Sequence, residues 1–106
     1  MTISKPDQDL VAAWCEQRVP GHARDQVAVG YTTRGASITL VERRAPWDGV
    51  GEWTARPFAQ LRRTGSVWRL YWPDRNIRWH LRDEFPATDD LQALLDIIGD
   101  PRSAFE

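Results

Sequence analysis

Ala59-Gln60-Leu61-Arg62-Arg63-Thr64-Gly65-Ser66-Val67-Trp68-Arg69-Leu70-Tyr71-Trp72 is the stretch that decides the fold. Two runs alternate apolar with polar residues, and Thr64-Gly65 lies between them. The spacing predicts two antiparallel strands joined by a tight turn. With Thr64-Gly65 as that turn, Leu61 stands opposite Trp68 and Ala59 opposite Leu70, so apolar residues meet on one face. The alternation resumes after Pro73-Asp74-Arg75-Asn76, which is a turn cluster. That turn sets Trp72 against Ile77, Leu70 against Trp79 and Trp68 against Leu81. A meander of strands over 56–63, 66–72 and 76–82 is the expectation.

Upstream, Val27, Val29, Tyr31 and Thr33 share one face of an alternating run, as do Ala36, Ile38, Leu40 and Glu42. Arg34-Gly35 between them makes a second hairpin. It pairs Tyr31 with Ile38, Val29 with Leu40, and Val27 with Glu42 at the open end. The connection over 45–54 is long for a hairpin and carries Pro46, Trp47, Gly49, Gly51 and Trp53, a composition suited to a packed loop or a ligand lid.

A helix is expected at each end. Over 6–18, Ser4 can cap, Pro6 fits the first turn, and Leu10, Ala13, Trp14 and Gln17 form a face with Val11 beside them. Pro20-Gly21 stops it. Over 89–98, Leu91, Leu94, Leu95 and Ile98 form an apolar stripe. Thr88 can cap that helix, Asp89 and Asp90 complement its dipole, and Gly99 and Pro101 close it. The fold class is therefore α+β: an N-terminal helix, a five-stranded antiparallel meander sheet and a C-terminal helix, in a single domain over 1–106.

The bulk composition excludes several function classes. The chain has 106 residues, enough for one core of its own, and a net charge of −1, so no global field draws it to nucleic acid or membrane. Cys15 is the only cysteine, which rules out an internal disulfide and a thiolate metal site. It lies within a helical run, and a buried, inert thiol is the ordinary reading. The N-terminal residues lack a signal-peptide apolar stretch, and no run is long enough to span a bilayer, so a cytoplasmic protein is expected. No cofactor motif and no metal-ligand spacing occurs. Lys5 is the only lysine; every other base is arginine. A GC-rich genome explains this bias, as does a need for guanidinium chemistry.

The registers place Phe58, Gln60, Arg62, Val67, Arg69, Tyr71, Arg78, His80 and Arg82 on the face opposite the apolar one, with no carboxylate among them. This face reads as a solvated surface with guanidinium groups over aromatic rings, or as one neutralised by helix acids such as Asp7 and Asp96. A third reading is an anion-binding platform for phosphate or nucleic acid through Arg62, Arg69, Tyr71, Arg78 and Arg82. A second candidate site lies at the loop end of the sheet. There Arg24, Glu42, Arg43, Trp47 and Trp53 gather as an ion-pair network fixing the loop, or as a Trp-walled pocket for a protein or peptide partner. His22, beside Asp25, and His80 are the only candidates for an acid–base role. An open sheet also has two edges, which leaves pairing into a homodimer open.

Several ordered motifs carry a resemblance. Trp14-Cys15-Glu16-Gln17-Arg18-Val19-Pro20, His22-Ala23-Arg24-Asp25-Gln26-Val27, Glu42-Arg43-Arg44-Ala45-Pro46-Trp47, Glu52-Trp53-Thr54, Leu70-Tyr71-Trp72-Pro73-Asp74-Arg75-Asn76, Trp79-His80 and Asp100-Pro101 together resemble a family of short bacterial proteins catalogued as domain of unknown function 3024. The resemblance implies a stand-alone bacterial domain and no reaction, cofactor or catalytic residue. The chain departs from the family's aromatic-glycine ending, since it finishes in Phe105-Glu106. The matched motifs fall mostly in loops and strand ends, which turns attention to the loop-end site. The expectation is a non-enzymatic binding module there, with anion binding on the sheet face as the alternative and an enzyme using His22 or His80 as the third reading.

Overall fold

The computed structural model describes residues 3–18, 26–46 and 48–99. Helix α1 spans Lys5–Arg18. Ser4 starts it: its carbonyl accepts from the Gln8 N–H at 3.0 Å and its hydroxyl from the Asp7 N–H at 3.4 Å. Val11 and Cys15 are the residues α1 buries, while Ala13 and Gln17 are exposed and Leu10 and Trp14 half-buried. The expected face is thus rotated. Residues 10–15 are all apolar, so periodicity does not choose among faces, and packing turns Val11 and Cys15 inward.

Five strands follow: β1 (Val27–Arg34), β2 (Ser37–Arg44), β3 (Thr54–Thr64), β4 (Val67–Pro73) and β5 (Trp79–Leu81). They form one antiparallel sheet in the order β1-β2-β3-β4-β5, the expected meander. Helix α2 (Leu91–Gly99) closes the described chain and buries Leu91, Leu94, Leu95 and Ile98, the stripe read from sequence. Asp90 is its cap, because its carboxylate accepts from the Gln92 N–H at 3.1 Å; Thr88 instead accepts from the Asp90 N–H. The expected stops at Pro20-Gly21 and Pro101 lie outside the described residues. Among the described residues no helix is long and apolar enough to cross a membrane.

Both short hairpins are shifted by two residues from the predicted registers. Tyr31 pairs with Leu40 and Thr33 with Ile38; Leu61 pairs with Leu70 and Arg63 with Trp68. Each loop takes its glycine first rather than second: Gly35-Ala36 and Gly65-Ser66, with φ of 58° and 62° at the glycines. A two-residue loop with only its first residue at positive φ matches the twist of the flanking strands. An even shift leaves every side chain on its predicted face.

Two departures do change faces. Leu40 pairs with Ala59 but Val41 with Pro57, so Phe58 is an unopposed bulge residue, and it packs against the core rather than on the open face. At the last turn Trp72 pairs with His80 and Pro73 with Trp79, an odd shift of three. Trp79 and Leu81 therefore join the open face, and His80 joins Trp72 on the other. The cause is the turn at 74–78. Asp74 Oδ1 accepts from the N–H groups of Asn76 at 2.9 Å and Arg78 at 3.0 Å, and Ile77 takes φ of 59°. This lengthens the loop by one residue and shortens β5.

The core lies between one sheet face and both helices. Ile38, Leu40, Leu61 and Leu70 are wholly buried there with Val11 and Leu95, and Trp68 is nearly so. The strand residues of the opposite face are half-buried or exposed, and none is fully buried.

Candidate functional site

The registers lay the open face out in rows. Arg34, Ser37, Arg62 and Arg69 stand side by side across β1 to β4. The next row holds Thr32, Thr39, Gln60, Tyr71 and Leu81. Gln60 Nε2 donates to Thr39 Oγ1 at 2.9 Å, and Arg62 Nε donates to Gln60 Oε1 at 2.5 Å. The Arg62 guanidinium lies 4.1 Å from the centre of the Tyr71 ring. Arg62 is thus held in place by neutral neighbours that leave its charge uncompensated. No hydrogen bond or ion pair reaches the side chain of Arg34 or Arg69 among the described residues. No strand residue of this face is a carboxylate.

The helix acids do not neutralise this surface. Asp7 approaches Arg63 Nη1 at 4.0 Å, and Arg63 is on the helix side beside Leu61 and Trp68. Arg82 also leaves the predicted group. Its Nε meets Glu84 at 2.5 Å and its guanidinium lies 5.4 Å from the Phe85 ring. Arg78 sits in the turn held by Asp74. Of the predicted anion set, Arg62, Arg69 and Tyr71 are brought together, and Arg78 and Arg82 are not. Arg34 was missed, because a turn at Arg34-Gly35 removes it from the strand; the corrected register returns it to the row.

At the loop end, Arg24, Trp47, His22 and Asp25 lie outside the described residues. Glu42 accepts from Arg44 Nε at 2.5 Å, whereas Arg43 points to the open face, opposite Ala28 and Ala55. Trp53 is 43% exposed and Val50 is 73% exposed in the connecting loop. Asp48 accepts from the Val50 N–H at 3.0 Å, and Pro46 O from the Gly49 N–H at 3.1 Å, so the loop is organised by its own turns.

His80 has the carboxylate partner that an acid–base role would need. Its Nε2 is 2.9 Å from Asp74 Oδ2, and its ring lies 5.1 Å from that of Trp72 at 32°. The hydrogen bond to His80 and those from the Arg78 and Asn76 N–H groups lower the Asp74 carboxyl to about 2. This carboxylate is the hub of the turn. Cys15 is buried, and desolvation raises its thiol to about 11, as an inert core cysteine requires. A cavity of ≈470 Å³ opens between the helices against Trp14, Arg18, Gln92 and Asp96, a feature with no sequence signal. No group of three His, Cys, Asp or Glu among the described residues is placed to hold a metal.

The comparison with known families decides the affiliation, with a match over residues 2–105. The chain belongs to the family described as Domain of unknown function (DUF3024). The match extends over nearly the whole chain and stops one residue short of Glu106, where the chain departs from the family's ending. It brings no reaction with it, so function has to be argued from the surface. No curated protein and no solved structure matches significantly.

Proposed function

We propose that this DUF3024 protein is a non-enzymatic binding module that holds single-stranded nucleic acid on the open face of its sheet. The carrying observation is the row Arg34, Arg62 and Arg69, on a face whose strands carry no carboxylate. Adjacent strands are about 4.8 Å apart, so the row extends roughly 14 Å, enough for successive phosphates of an extended strand. Tyr71 and Trp79 supply ring area one and two rows away. Such a ligand fits a cytoplasmic protein. Labelled oligonucleotide titrated by anisotropy tests the reading: binding should fall in Arg62→Ala and Arg69→Ala, and equal affinity in wild type and both variants would sink it.

A second reading has its own observation. The exposure of Val50 and Trp53 on the 45–53 loop favours docking of a protein or peptide partner at the loop end, where Arg24, Glu42, Arg43 and Trp47 are the other candidates. Trp53→Ala should then abolish capture of that partner while leaving oligonucleotide binding intact.

A further inference from the structure

The outer edge of β1 is an unfinished ladder. Gln26 O accepts from the Ala45 N–H at 2.8 Å, which fixes the phase of the β1–β2 hydrogen bonds. Bonded pairs alternate along an antiparallel ladder. Ala28, Gly30, Thr32 and Arg34 therefore turn their N–H and C=O groups towards β2. Those of Val27, Val29, Tyr31 and Thr33 point away from the sheet. No hydrogen bond reaches these eight outward groups among the described residues. Exposed edges are ordinarily protected by shortness, proline, a bulge, lysine or an inward charge. β5, the other edge, is three residues long. β1 is eight residues, Val27–Arg34, with no proline, no bulge and no charge before Arg34.

We propose that this edge docks a second copy of the chain, with β1 pairing antiparallel to its counterpart about a two-fold axis at Gly30. The register follows from bond counting. Pairing through Gly30 opposite Gly30 sets Val27 against Thr33 and Val29 against Tyr31, and satisfies all eight outward groups of each copy. Moving the axis by one residue in either direction leaves two of them unmet in each copy. The axis passes through a non-bonded pair, the closer kind, with Cα atoms about 4.5 Å apart. Nothing lies within 4 Å of a Cβ built at Gly30, so the space at the axis is open. On the helix side the half-buried Val27, Val29 and Tyr31 would meet β-branched and aromatic partners. Arg34 would fall beside Gln26 rather than another arginine. The second copy is favoured over an unrelated strand because 26–33 is uncharged and complementary to itself. The union would leave both arginine rows on the same open side.

The test is mass by light scattering at micromolar concentration, with folding checked by circular dichroism. Wild type should run near twice 12.2 kDa. Val29→Pro removes an outward N–H and no bond to β2, and should weaken association by about tenfold or more. Ala28 and Thr32 would be cross-axis neighbours. Ala28→Glu with Thr32→Glu should give a monomer, and Ala28→Glu with Thr32→Lys should restore the dimer. A monomeric wild type overturns the proposal, as does a dimer indifferent to Val29→Pro and to the double glutamate. Failure of the Glu/Lys pair to dimerise overturns the Gly30 register. The Glu/Glu and Glu/Lys comparison decides the matter even if the proline variant does not fold.

Discussion

Removing Arg69 tests the arginine row most directly, because Arg69 has no partner among the described residues whose loss would confuse the result. Each phosphate neutralised on a single strand contributes about −0.7 to the slope of log affinity against log salt. Three contacts from Arg34, Arg62 and Arg69 therefore give a slope of about −2, so a fourfold rise in salt weakens binding about 18-fold. Arg69→Ala should reduce the slope to about −1.4, and the same rise in salt should then cost only about sevenfold. At fixed salt the lost contact is worth roughly 1 kcal/mol, about fivefold in affinity. Arg62 distinguishes charge from geometry. Arg62→Lys retains the charge and should preserve the slope, yet it loses the Nε bond to Gln60 and the stack on Tyr71, so affinity should still fall. Anisotropy of a labelled mixed-sequence oligonucleotide across a salt series measures both quantities. Arg75, exposed in the 74–78 turn and away from the row, is the control. If Arg75→Ala changes slope and affinity as much as Arg69→Ala, binding is diffuse and the row is not a site.

The remaining expectations concern the scaffold. Gly65→Ala forces a side chain into φ of 62° and should destabilise the β3–β4 hairpin by about 1–2 kcal/mol in urea melts. Asp74 titrates at about 2 in the folded chain against 3.8 unperturbed, so it stabilises the fold above about 3.8 and that contribution is lost as pH falls towards 2. Asp74→Asn should lower Tm at neutral pH and flatten the loss of Tm across that acid window. Cys15, buried and raised to about 11, should resist iodoacetamide at pH 8 until the protein is unfolded in urea.

What the sequence disclosed and what it withheld divide along a physical line. Alternation fixes which residues share a face, and faces are insensitive to even slips. The hairpins at Gly35 and Gly65 are each two residues from expectation, yet Ile38, Leu40, Leu61 and Leu70 still meet in the core. Whether a glycine occupies the first or second loop position depends on strand twist, which composition does not reveal. The last turn was beyond reach for another reason. Its length is set by a side chain, Asp74, accepting two backbone N–H groups and facing His80. That odd shift moved His80 off the arginine face and brought Trp79 and Leu81 onto the open side. The bulge at Phe58 likewise needs the β2–β3 pairing, across a long loop whose register no turn rule sets.

Arg62 and Arg63 show why the open face is a candidate surface and not merely the polar side of a sheet. They are neighbours in one strand, so the pleat sends them to opposite sides. Arg63 enters the helix layer and approaches Asp7, while its Nε donates to Gly65 O at 3.0 Å. Arg62 reaches the open face and meets an amide and a phenol ring, neither of which carries compensating charge. Arg34 on β1 and Arg69 on β4 share that face, and no ion pair reaches their side chains among the described residues. With a net charge of −1, the chain has enough carboxylates to compensate its arginines. Its strands put none on this face. Three like charges held in one row raise each other's energy unless an anion is near, and an anion spanning the row relieves all three at once. A ligand with regularly spaced phosphates has that form, whereas a single small anion relieves only the adjacent pair Arg62 and Arg69. Inorganic phosphate should therefore compete with an oligonucleotide only weakly, and the competition should be unchanged by Arg34→Ala, although Arg34→Ala itself weakens the oligonucleotide.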